Sequence, residues 1–316
     1  MKALFFDSRL RLLDLPKPDR SEGQALIKVI MAGICNTDLE IYKGYKGFKG
    51  IPGHEFVGRV ECCDNEKIMY KRVVGEINYG CGDCYYCKKG LKSHCKERRV
   101  LGILNHHGAF AEYLVLPEEN LHIVPDGISD EEAVFVEPLA ACFQIIEQLH
   151  IKPTERVIVL GDGKLGLLAT QVLDLAGCDI FLVGKHPSHL SLSQKRGIKT
   201  SLADDFDDMK ADVVVECTGS PKGFEMALGL TKPKGKILLK STFVEKREID
   251  ITPLVIDEIT VVGSRCGPFL PAIRALEKKL IDVKPLIHEI YGIIDGVKAF
   301  GKAAQKGVLK VLLSMG

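Results

Sequence analysis

Hydrophobic and polar positions alternate in two different ways along the chain, and the change falls near Asp130. Before it, short β-branched or aromatic runs are separated by Gly, Pro and Asp, which is typical of antiparallel strands joined by long loops. These runs are ALFF, QALIKVIMAGI, EFVGRVECC and FAEYLVL. We therefore predict that the first third of the chain is rich in β-strands.

A helical period begins in DEEAVFVEPLAACFQIIEQL, just after Ser129 and its acidic neighbours. From Arg156 onward, strand-like runs such as VIVLG, IFLVG, VVVECTG and KILLK alternate with helical segments. This alternation predicts a doubly wound parallel sheet. The last apolar run, VLKVLLS, predicts a strand that rejoins the β-rich part.

The composition is that of a folded protein without a broad electrostatic preference. The 316 residues suffice for two packed domains, and 43 Lys+Arg balance 42 Asp+Glu. This balance gives no excess of positive charge that would attract nucleic acid or an anionic membrane. Asp7, Arg9 and Arg11 interrupt the start of the chain before a signal peptide could form, and no later run reaches membrane-spanning length without a charge. We expect a cytoplasmic protein that has no membrane partner.

Four cysteines crowd one short polar loop. Cys81, Cys84, Cys87 and Cys95 form C-x2-C-x2-C-x7-C inside GCGDCYYCKKGLKSHC. Four thiolates around one ion make the closed tetrahedral shell of a structural zinc site. Disulfides seldom persist in a reducing compartment, and ferredoxins space their cysteines differently, so we favour zinc over both. Four unrelated free thiols are the remaining alternative, although this loop has no apolar core to hide them.

A second set of possible metal ligands is chemically mixed. Cys35 lies in AGICNTDLEIYKG, while His54 and Glu55 lie in IPGHEFVG, and each segment follows a strand-like run. One thiolate, one imidazole and one carboxylate suit a catalytic zinc that keeps a coordination position open. A single histidine is more often a satisfied polar residue than a ligand, so these residues alone leave both interpretations open.

A glycine-rich turn follows the strand-like run RVIVL. Gly161, Gly163 and Gly166 form G-x-G-x-x-G, with Lys164 and Leu165 between the last two. The glycines permit a tight turn and the close approach of a pyrophosphate to the start of a helix. Chance glycine turns also match this pattern, but the flanking strand and helix patterns predict a dinucleotide site here.

The next strand, IFLVG, does not end with the acid that binds the adenosine ribose of NAD. Gly184, Lys185 and His186 stand there instead. A cation and an imidazole suit a 2′-phosphate, so the sequence favours NADP over NAD. The alternative is a solvated turn before Pro187.

Six segments, in this order over nearly the whole chain, resemble the zinc-dependent medium-chain dehydrogenase/reductase family. They are AGICNTDLEIYKG, PGHEFVG, CGDCYYCKKGLKSHC, VEPLA, VLGDGKLGLLA and VECTGSP. The resemblance implies an α/β protein with a GroES-like β-rich catalytic domain, at 1–138 and 268–316, and a Rossmann cofactor domain at 139–267. It also implies one catalytic and one structural zinc, and hydride transfer between NAD(P) and an alcohol, polyol or sugar.

The family match assigns roles to individual residues around the catalytic zinc. Cys35 and His54 match zinc ligands, and Glu55 matches a residue that ligates in some members. Glu137, in VEPLA, falls where the polyol and sugar branch has glutamate instead of a third ligating cysteine. Asp38 matches the carboxylate that orients the zinc-bound histidine.

Two neighbouring residues match the proton relay of the family. Thr37 matches the hydroxyl that binds the substrate alcohol and accepts its proton, although a turn residue is the alternative. Glu40 occupies a position where many members carry histidine as the outer member of the relay. A carboxylate or a water would serve in its place.

Further matches concern the cofactor and the assembly. Cys217, Thr218 and Gly219 match a turn near the nicotinamide, and the segment that ends at Arg265 matches backbone that meets its amide. Family members are commonly dimers or tetramers, so we expect a homodimer or homotetramer. Residues 255–264 would contain the strand that pairs between subunits.

The chain departs from the family between Gly58 and Gly80, where a longer glycine-rich stretch is cut back. Because loops line the substrate site on this fold, the identity of the substrate stays open. We interpret Cys62 and Cys63 in this segment as packed strand residues, and Cys142 further along as a core residue.

Two other functions remain open at this point. A zinc-independent reductase of the same fold would keep only the structural metal, but the joint presence of Cys35, His54 and Glu137 argues against it. A non-catalytic zinc protein could bind nucleic acid through cations in the cysteine loop such as Lys88 and Lys89, although such cations are more often solvated. Its affinity would fall steeply with salt. We expect a small-molecule alcohol or carbonyl substrate and no nucleic acid.

Overall fold

The structure is a computed structural model that describes residues 1–44, 47–206, 209–242 and 248–316. The chain divides into two units, one of Met1–Glu137 with Phe269–Gly316 and the other of Pro138–Pro268. In the part of the chain that the structure describes, no helix is long and apolar enough to cross a membrane.

The chain begins with a β-rich stretch that carries short helices. Its elements are β1 (Lys2–Phe6), β2 (Leu10–Asp14), β3 (Gln24–Gly33), α1 (Asn36–Tyr42), β4 (Glu55–Cys62), β5 (Arg72–Gly75), β6 (Asn78–Tyr79), α2 (Tyr85–Lys88), β7 (Arg99–Val100), β8 (Tyr113–Pro117), β9 (Leu121–Ile123), α3 (Asp130–Ala133) and α4 (Val136–Gln148). Two 3₁₀ turns lie at Lys92–His94 and Glu118–Asn120.

Strands and helices then alternate through the middle of the chain. These elements are β10 (Arg156–Leu160), α5 (Lys164–Asp174), β11 (Asp179–Gly184), α6 (Pro187–Gln194), β12 (Lys199–Leu202), β13 (Ala211–Glu216), α7 (Pro221–Leu230), β14 (Thr231–Leu239), α8 (Thr252–Ile256) and β15 (Thr260–Gly263). The last stretch contains α9 (Phe269–Glu277), β16 (Ile287–Gly292), α10 (Gly296–Ala303) and β17 (Lys310–Ser314), with 3₁₀ turns at Lys284–Leu286 and Ile293–Asp295.

The main sheet of the first unit has the order β16-β17-β3-β4-β5-β9, and β8 also pairs with β3. Strand β17 runs antiparallel to β3, with Leu312 opposite Gly33. The last strand therefore rejoins the β-rich part, as its sequence predicts. In β3, Ala25, Ile27 and Val29 are buried while residues between them are less so, as expected for a strand that packs one face on a core.

The sheet of the second unit has the order β12-β11-β10-β13-β14-β15, and its neighbouring strands all run parallel. In β10 the run from Val157 to Leu160 is buried at every position, which is typical of a parallel strand covered on both faces. The strand order reverses between β10 and β13, and ligands bind beyond the carboxyl ends of the strands at such a point. The predicted doubly wound parallel sheet is confirmed.

The cysteines outside the segment from Cys81 to Cys95 differ in burial. Cys63 and Cys142 are buried, as predicted. The prediction for Cys62 is wrong: it is exposed, because it is the last residue of β4 and its side chain leaves the packed face. Its sulfur accepts a hydrogen bond of 3.2 Å from Arg20 Nε.

Candidate functional site

The four-cysteine loop follows β6 and contains α2. The sulfur of Cys84 lies 3.5 Å from that of Cys87, and the sulfur of Cys95 lies 3.7 Å from that of Cys81. Four thiolates at about 2.3 Å from a central zinc would lie about 3.8 Å from one another. All four sulfurs lie within 4.8 Å of one another, so their arrangement fits a closed tetrahedral metal site.

Glycines let the sulfurs of this loop approach one another. A Cβ atom on Gly80 would collide with the sulfur of Cys87, and Gly82 turns the chain with a φ of +84°. Burial and the adjacent thiols raise the pKa of Cys87 to about 12. A cation bound among the sulfurs would favour the thiolate form of Cys87.

Cys35, His54 and Glu55, which we call the mixed-donor cluster, come together because β3 and β4 pair. Gly33 at the end of β3 lies opposite Glu55 at the start of β4. The chain then turns at Cys35, the N-cap of α1, which brings this thiol beside His54. The possible ligand atoms of the three residues all lie within 4.8 Å of one another.

Asp38, fully buried in the first turn of α1, connects the parts of this cluster. One of its oxygens accepts a 2.8 Å hydrogen bond from the backbone N–H of Cys35, and the other accepts one of 3.2 Å from Gly53. The second oxygen also lies 3.3 Å from His54 Nδ1. Burial opposes a charge on His54, but Asp38 and Cys35 outweigh burial and raise its pKa.

Glu55 forms a buried ion pair with Lys310, the first residue of β17. Both side chains are 1% exposed. Burial would lower the pKa of Lys310, but the carboxylate of Glu55 outweighs burial and raises it. The Lys310 ammonium therefore contacts one carboxyl oxygen of Glu55, and the other oxygen belongs to the cluster.

Two buried polar atoms of the cluster, His54 Nδ1 and Glu55 Oε1, make no hydrogen bond with residues that the structure describes. A buried carboxylate oxygen without a donor is costly. A cation held between this oxygen, the imidazole and the Cys35 thiolate would remove that cost. The donor set of sulfur, nitrogen and oxygen is one that zinc accepts, so the residues present fit the metal.

The other residues that the sequence assigns to this site do not all lie at the mixed-donor cluster. The hydroxyl of Thr37 lies 3.8 Å from the sulfur of Cys35, so it is at the cluster. Glu40 lies on the same helix but pairs with Lys43 at 2.8 Å. Glu137 is half-buried in the first turn of α4 and is not among the residues whose donors lie within 4.8 Å of one another. Its place as a ligand stays a prediction.

The glycine turn has the shape that a pyrophosphate needs. Gly161 has a φ of +107°, and a Cβ atom there would lie 3.0 Å from the carbonyl of Cys217. A Cβ atom on Gly166 would collide with the carbonyl oxygen of Gly161. Gly163 is the N-cap of α5, whose first N–H groups lack partners within the helix and attract anions.

A carboxylate that the sequence did not indicate lies beside the end of β11. Asp162, inside the glycine turn, accepts hydrogen bonds from the backbone N–H groups of Lys185 and His186 at 3.0 and 2.6 Å. Its carboxylate lies 3.1 Å from His186 Nδ1, and a Cβ atom on Gly184 would collide with it. The loop after β10 therefore places a buried carboxylate beside the end of β11, which does not itself end with an acid. Side-chain packing of this kind has no sequence motif.

A second buried group lies at the carboxyl ends of β13 and β14. Glu216 is 1% exposed, and its carboxylate accepts a hydrogen bond from the backbone N–H of Thr218 at 2.6 Å. Burial raises the pKa of Cys217 well above its usual value, so this thiol stays neutral. Lys240, 9% exposed, donates hydrogen bonds to the backbone carbonyls of Ala141 and Arg265. A buried lysine after an apolar strand run is the one signal through which the sequence could have revealed this group.

Models of two known domain families match the chain. The alcohol dehydrogenase GroES-like domain matches residues 21–126, and the zinc-binding dehydrogenase domain matches residues 165–282. The sorbitol dehydrogenase of Halalkalibacterium halodurans is 30% identical over 95% of this chain and 94% of its own length. The D-arabitol-phosphate dehydrogenase of Enterococcus avium is 29% identical over 96% of this chain and 94% of its own.

Solved structures are similar along the whole chain. A protein described as a zinc-binding dehydrogenase from Sinorhizobium meliloti, bound to NADP, is 26% identical with a TM-score of 0.91, over 99% of this chain and 98% of its own. An alcohol dehydrogenase from Escherichia coli CFT073, complexed with NADH, is 25% identical with a TM-score of 0.92, over 100% of this chain and 99% of its own. The chain belongs to the zinc-dependent medium-chain dehydrogenase family and is an alcohol dehydrogenase-like oxidoreductase.

Proposed function

We propose that the protein is a zinc- and NADP-dependent dehydrogenase that interconverts a polyol-type alcohol and its carbonyl compound. The observation that carries this proposal is the convergence of Cys35, His54 and Glu55 within 4.8 Å, with the Asp38 carboxylate behind the histidine. The relatives named for sorbitol and D-arabitol phosphate support a polyol-type substrate. The four-cysteine loop would hold a second, structural zinc, because its shell is full.

Cys35, His54 and Glu55 Oε1 would hold the catalytic metal, and Glu137 is the alternative carboxylate. Zinc bound there supplies a Lewis acid that lowers the pKa of the substrate alcohol. Asp38 accepts from the backbone of Cys35 and lies beside His54 Nδ1, so the other ring nitrogen of His54 would be the one available to a metal. Lys310 contacts the other carboxyl oxygen of Glu55 and holds the side chain in place.

Thr37 and Glu40 would carry the proton. The Thr37 hydroxyl is close enough to the Cys35 sulfur to contact a substrate oxygen at the cluster and accept its proton. Glu40, 42% exposed beside Lys43, would pass the proton to solvent directly or through water.

The second unit would bind the cofactor beyond the carboxyl ends of its strands. The turn formed by Gly161, Gly163, Lys164, Leu165 and Gly166 would hold the pyrophosphate. The Cys217-Thr218-Gly219 turn and the segment at Arg265 would face the nicotinamide half. Exposed Lys185 and half-buried His186, beside Gly184, would bind the 2′-phosphate. Asp162 orients His186 by accepting at its Nδ1 and backbone N–H.

Two cysteine variants test the proposed catalytic zinc site. Cys35→Ala should lower turnover with the best polyol of a panel by at least about a hundredfold, because the Lewis acid is lost. Its zinc content should fall by one ion per chain, with NADPH affinity unchanged. Cys62→Ala, at the exposed end of β4, is the matched control and should keep both. Normal turnover in Cys35→Ala would contradict the zinc mechanism.

Fluorescence titration with NADPH and NADH tests the cofactor part. Lys185→Gln and His186→Gln should each weaken NADPH binding by about fivefold or more, and should leave NADH binding unchanged, because each removes a partner of the extra phosphate. Asp162→Asn keeps an acceptor for the two backbone N–H groups but removes the charge. If wild-type protein bound NADH more tightly than NADPH, the preference for NADP would be wrong.

We also infer self-association through β15. This strand is at the edge of the sheet, and Val255 and Ile256 beside it are 74% and 73% exposed. An unpaired edge with exposed apolar residues is a surface that a second copy can extend. Sedimentation of wild type and Val261→Lys tests this: wild type should sediment as a dimer or tetramer and the variant as a smaller species. A monomeric wild type would overturn it.

A further inference from the structure

Residues 50–53, which we call the approach segment, lead directly into His54 and Glu55 and belong to no helix or strand. Such a segment is held in place by the individual hydrogen-bond partners of its backbone groups. Every backbone N–H and C=O group of the approach segment has a partner at 3.2 Å or less. The positions of the two ligand side chains that follow therefore depend on these partners.

Most of the partners are themselves backbone groups. Gly50 exchanges two hydrogen bonds of 2.8 Å with Phe6. The carbonyls of the next three residues accept, in order, from the N–H groups of Gly108, Phe110 and Ala109, at 2.6, 3.0 and 2.9 Å. A side-chain substitution leaves these backbone groups present, so they form a constant frame around the approach segment.

The two remaining partners are side chains. The N–H of Gly53 donates to Asp38, as described above. The N–H of Ile51 donates to the Nδ1 atom of His107 at 3.1 Å. A ring nitrogen that accepts a hydrogen bond carries no proton, so His107 is neutral and has its proton on Nε2. Its imidazole thus acts as a fixed acceptor for the one N–H of the approach segment that no backbone group or carboxylate binds.

The imidazole of His107 also packs directly on the approach segment. A Cβ atom on Gly50, which has a φ of +142°, would lie 2.7 Å from Nδ1. At the other end of the segment, Gly53 has a φ of +98°, and a Cβ atom there would collide with the ring of Phe110. Glycine at both ends therefore lets one ring approach each end of the segment closely.

We propose that His107 is a positioning residue for the proposed zinc site, because its ring fixes the approach segment and thereby the direction from which His54 reaches the metal. This inference rests on the proposed function of the mixed-donor cluster. His107 is exposed, so water can replace its acceptor atom in a variant. Water satisfies the N–H of Ile51 but does not fix its position. Loss of the ring should therefore affect the metal site more than the stability of the fold.

The path from His107 to the cluster is short. The N–H that it binds belongs to Ile51, three residues before His54. The Gly53 N–H binds the same Asp38 oxygen that lies 3.3 Å from His54 Nδ1. A shift of the approach segment would therefore move both the ligand and the carboxylate beside it. Residues that orient a metal ligand typically contribute about tenfold to a hundredfold to metal affinity or activity.

The test compares His107→Leu with His107→Asn. Leucine removes the acceptor, whereas the Oδ1 atom of asparagine is as far along the side chain as Nδ1 and accepts the same bond. In competition with a colorimetric zinc chelator, His107→Leu should bind zinc at the mixed-donor cluster about tenfold more weakly. Its kcat with the best polyol of a panel should fall by about tenfold or more. His107→Asn should stay within about threefold of wild type in both measurements. Zinc in the four-cysteine loop, NADPH affinity and the urea midpoint should be unchanged in both variants.

His106→Leu is the matched control. It removes the adjacent imidazole, whose Nδ1 contacts the carbonyl of His107, and leaves the N–H of Ile51 paired. It should keep wild-type zinc affinity and kcat. His107→Gln, whose acceptor lies one bond further out, should behave like His107→Leu and replaces it where the leucine variant does not fold.

Three results would overturn the role of His107. They are a lower urea midpoint in His107→Leu with zinc affinity and kcat unchanged, equal losses in His107→Leu and His107→Asn, and an equal loss in His106→Leu. The first would mean a merely structural role, and the others would mean that the accepting atom is not what matters. Wild-type protein that binds zinc only in the four-cysteine loop would instead overturn the proposed catalytic zinc site.

Discussion

The two candidate metal sites of the first unit both contain cysteine sulfur, but one is formed by sulfur alone and the other by sulfur, nitrogen and oxygen. In the four-cysteine loop, every donor is a sulfur from one segment of 15 residues, Cys81 to Cys95, and local glycines allow the close approach. The mixed-donor cluster draws on α1, on the start of β4 and, through Lys310, on the far end of the chain. The first site is complete within its own loop, whereas the second exists only when the sheet has formed.

This difference explains which site can do chemistry. A shell of four thiolates leaves no position for a substrate, so a metal bound there would stabilise the loop. The mixed-donor cluster has three donors and a buried carboxylate oxygen without a partner among the described residues. A metal bound there would keep a position open, and Asp38 beside His54 and Lys310 beside Glu55 would hold those two side chains in place.

The largest effect should come from the closed site. Cys95→Ser removes a fully buried ligand and should lower the free energy of unfolding by about 4 kcal/mol or more, because a structural metal contributes directly to folding. Urea denaturation monitored by circular dichroism measures this. Cys62→Ser, at the exposed end of β4, is the control and should change stability little. A stable Cys95→Ser protein would mean that the loop does not need a metal.

The ion pair behind the mixed-donor cluster gives the next effect. Lys310→Met leaves Glu55 charged and buried, which should lower the free energy of unfolding by about 3 kcal/mol. Lys310→Arg keeps the charge and should recover most of the loss. If Lys310→Met were as stable as wild type, Glu55 would have to be neutral in the native protein. Urea denaturation at several pH values distinguishes these cases.

The smallest effect should come from a variant that changes the orientation of His54 but removes no metal ligand. Asp38→Asn keeps the size of the side chain but removes the charge beside His54, and should lower zinc affinity at the mixed-donor cluster by about tenfold. Competition with a colorimetric zinc chelator measures the affinity. The four-cysteine loop of the same variant should keep wild-type affinity. Equal weakening at both sites would indicate a general loss of structure instead.

The features that could be predicted from the sequence are those whose residues lie close together along the chain. The spacing of Cys81, Cys84, Cys87 and Cys95 and the G-x-G-x-x-G turn each occupy one short segment, so their patterns are visible without a fold. The parallel sheet followed from the alternation of buried strands and helical segments, because each element must bury one face.

The features that sequence did not reveal depend on contacts between distant residues. Glu55 and Lys310 are 255 positions apart and meet only because β17 pairs with β3. Asp162 meets the turn at Lys185 because β10 and β11 lie side by side. Cys62 is predicted to be a packed strand residue, but the strand ends at that residue and its side chain is exposed. Burial at the end of a strand is decided by the neighbouring loops.

The most direct test of the difference between the two sites is to count zinc before and after mild chelation. Purified protein should contain two zinc ions per chain, and treatment with a competing chelator such as dipicolinate should remove one. Loss of that ion should abolish turnover while the circular dichroism spectrum and NADPH affinity remain, and added zinc should restore turnover. Removal of both ions together, or unfolding on loss of the first, would contradict the account of one open and one closed site.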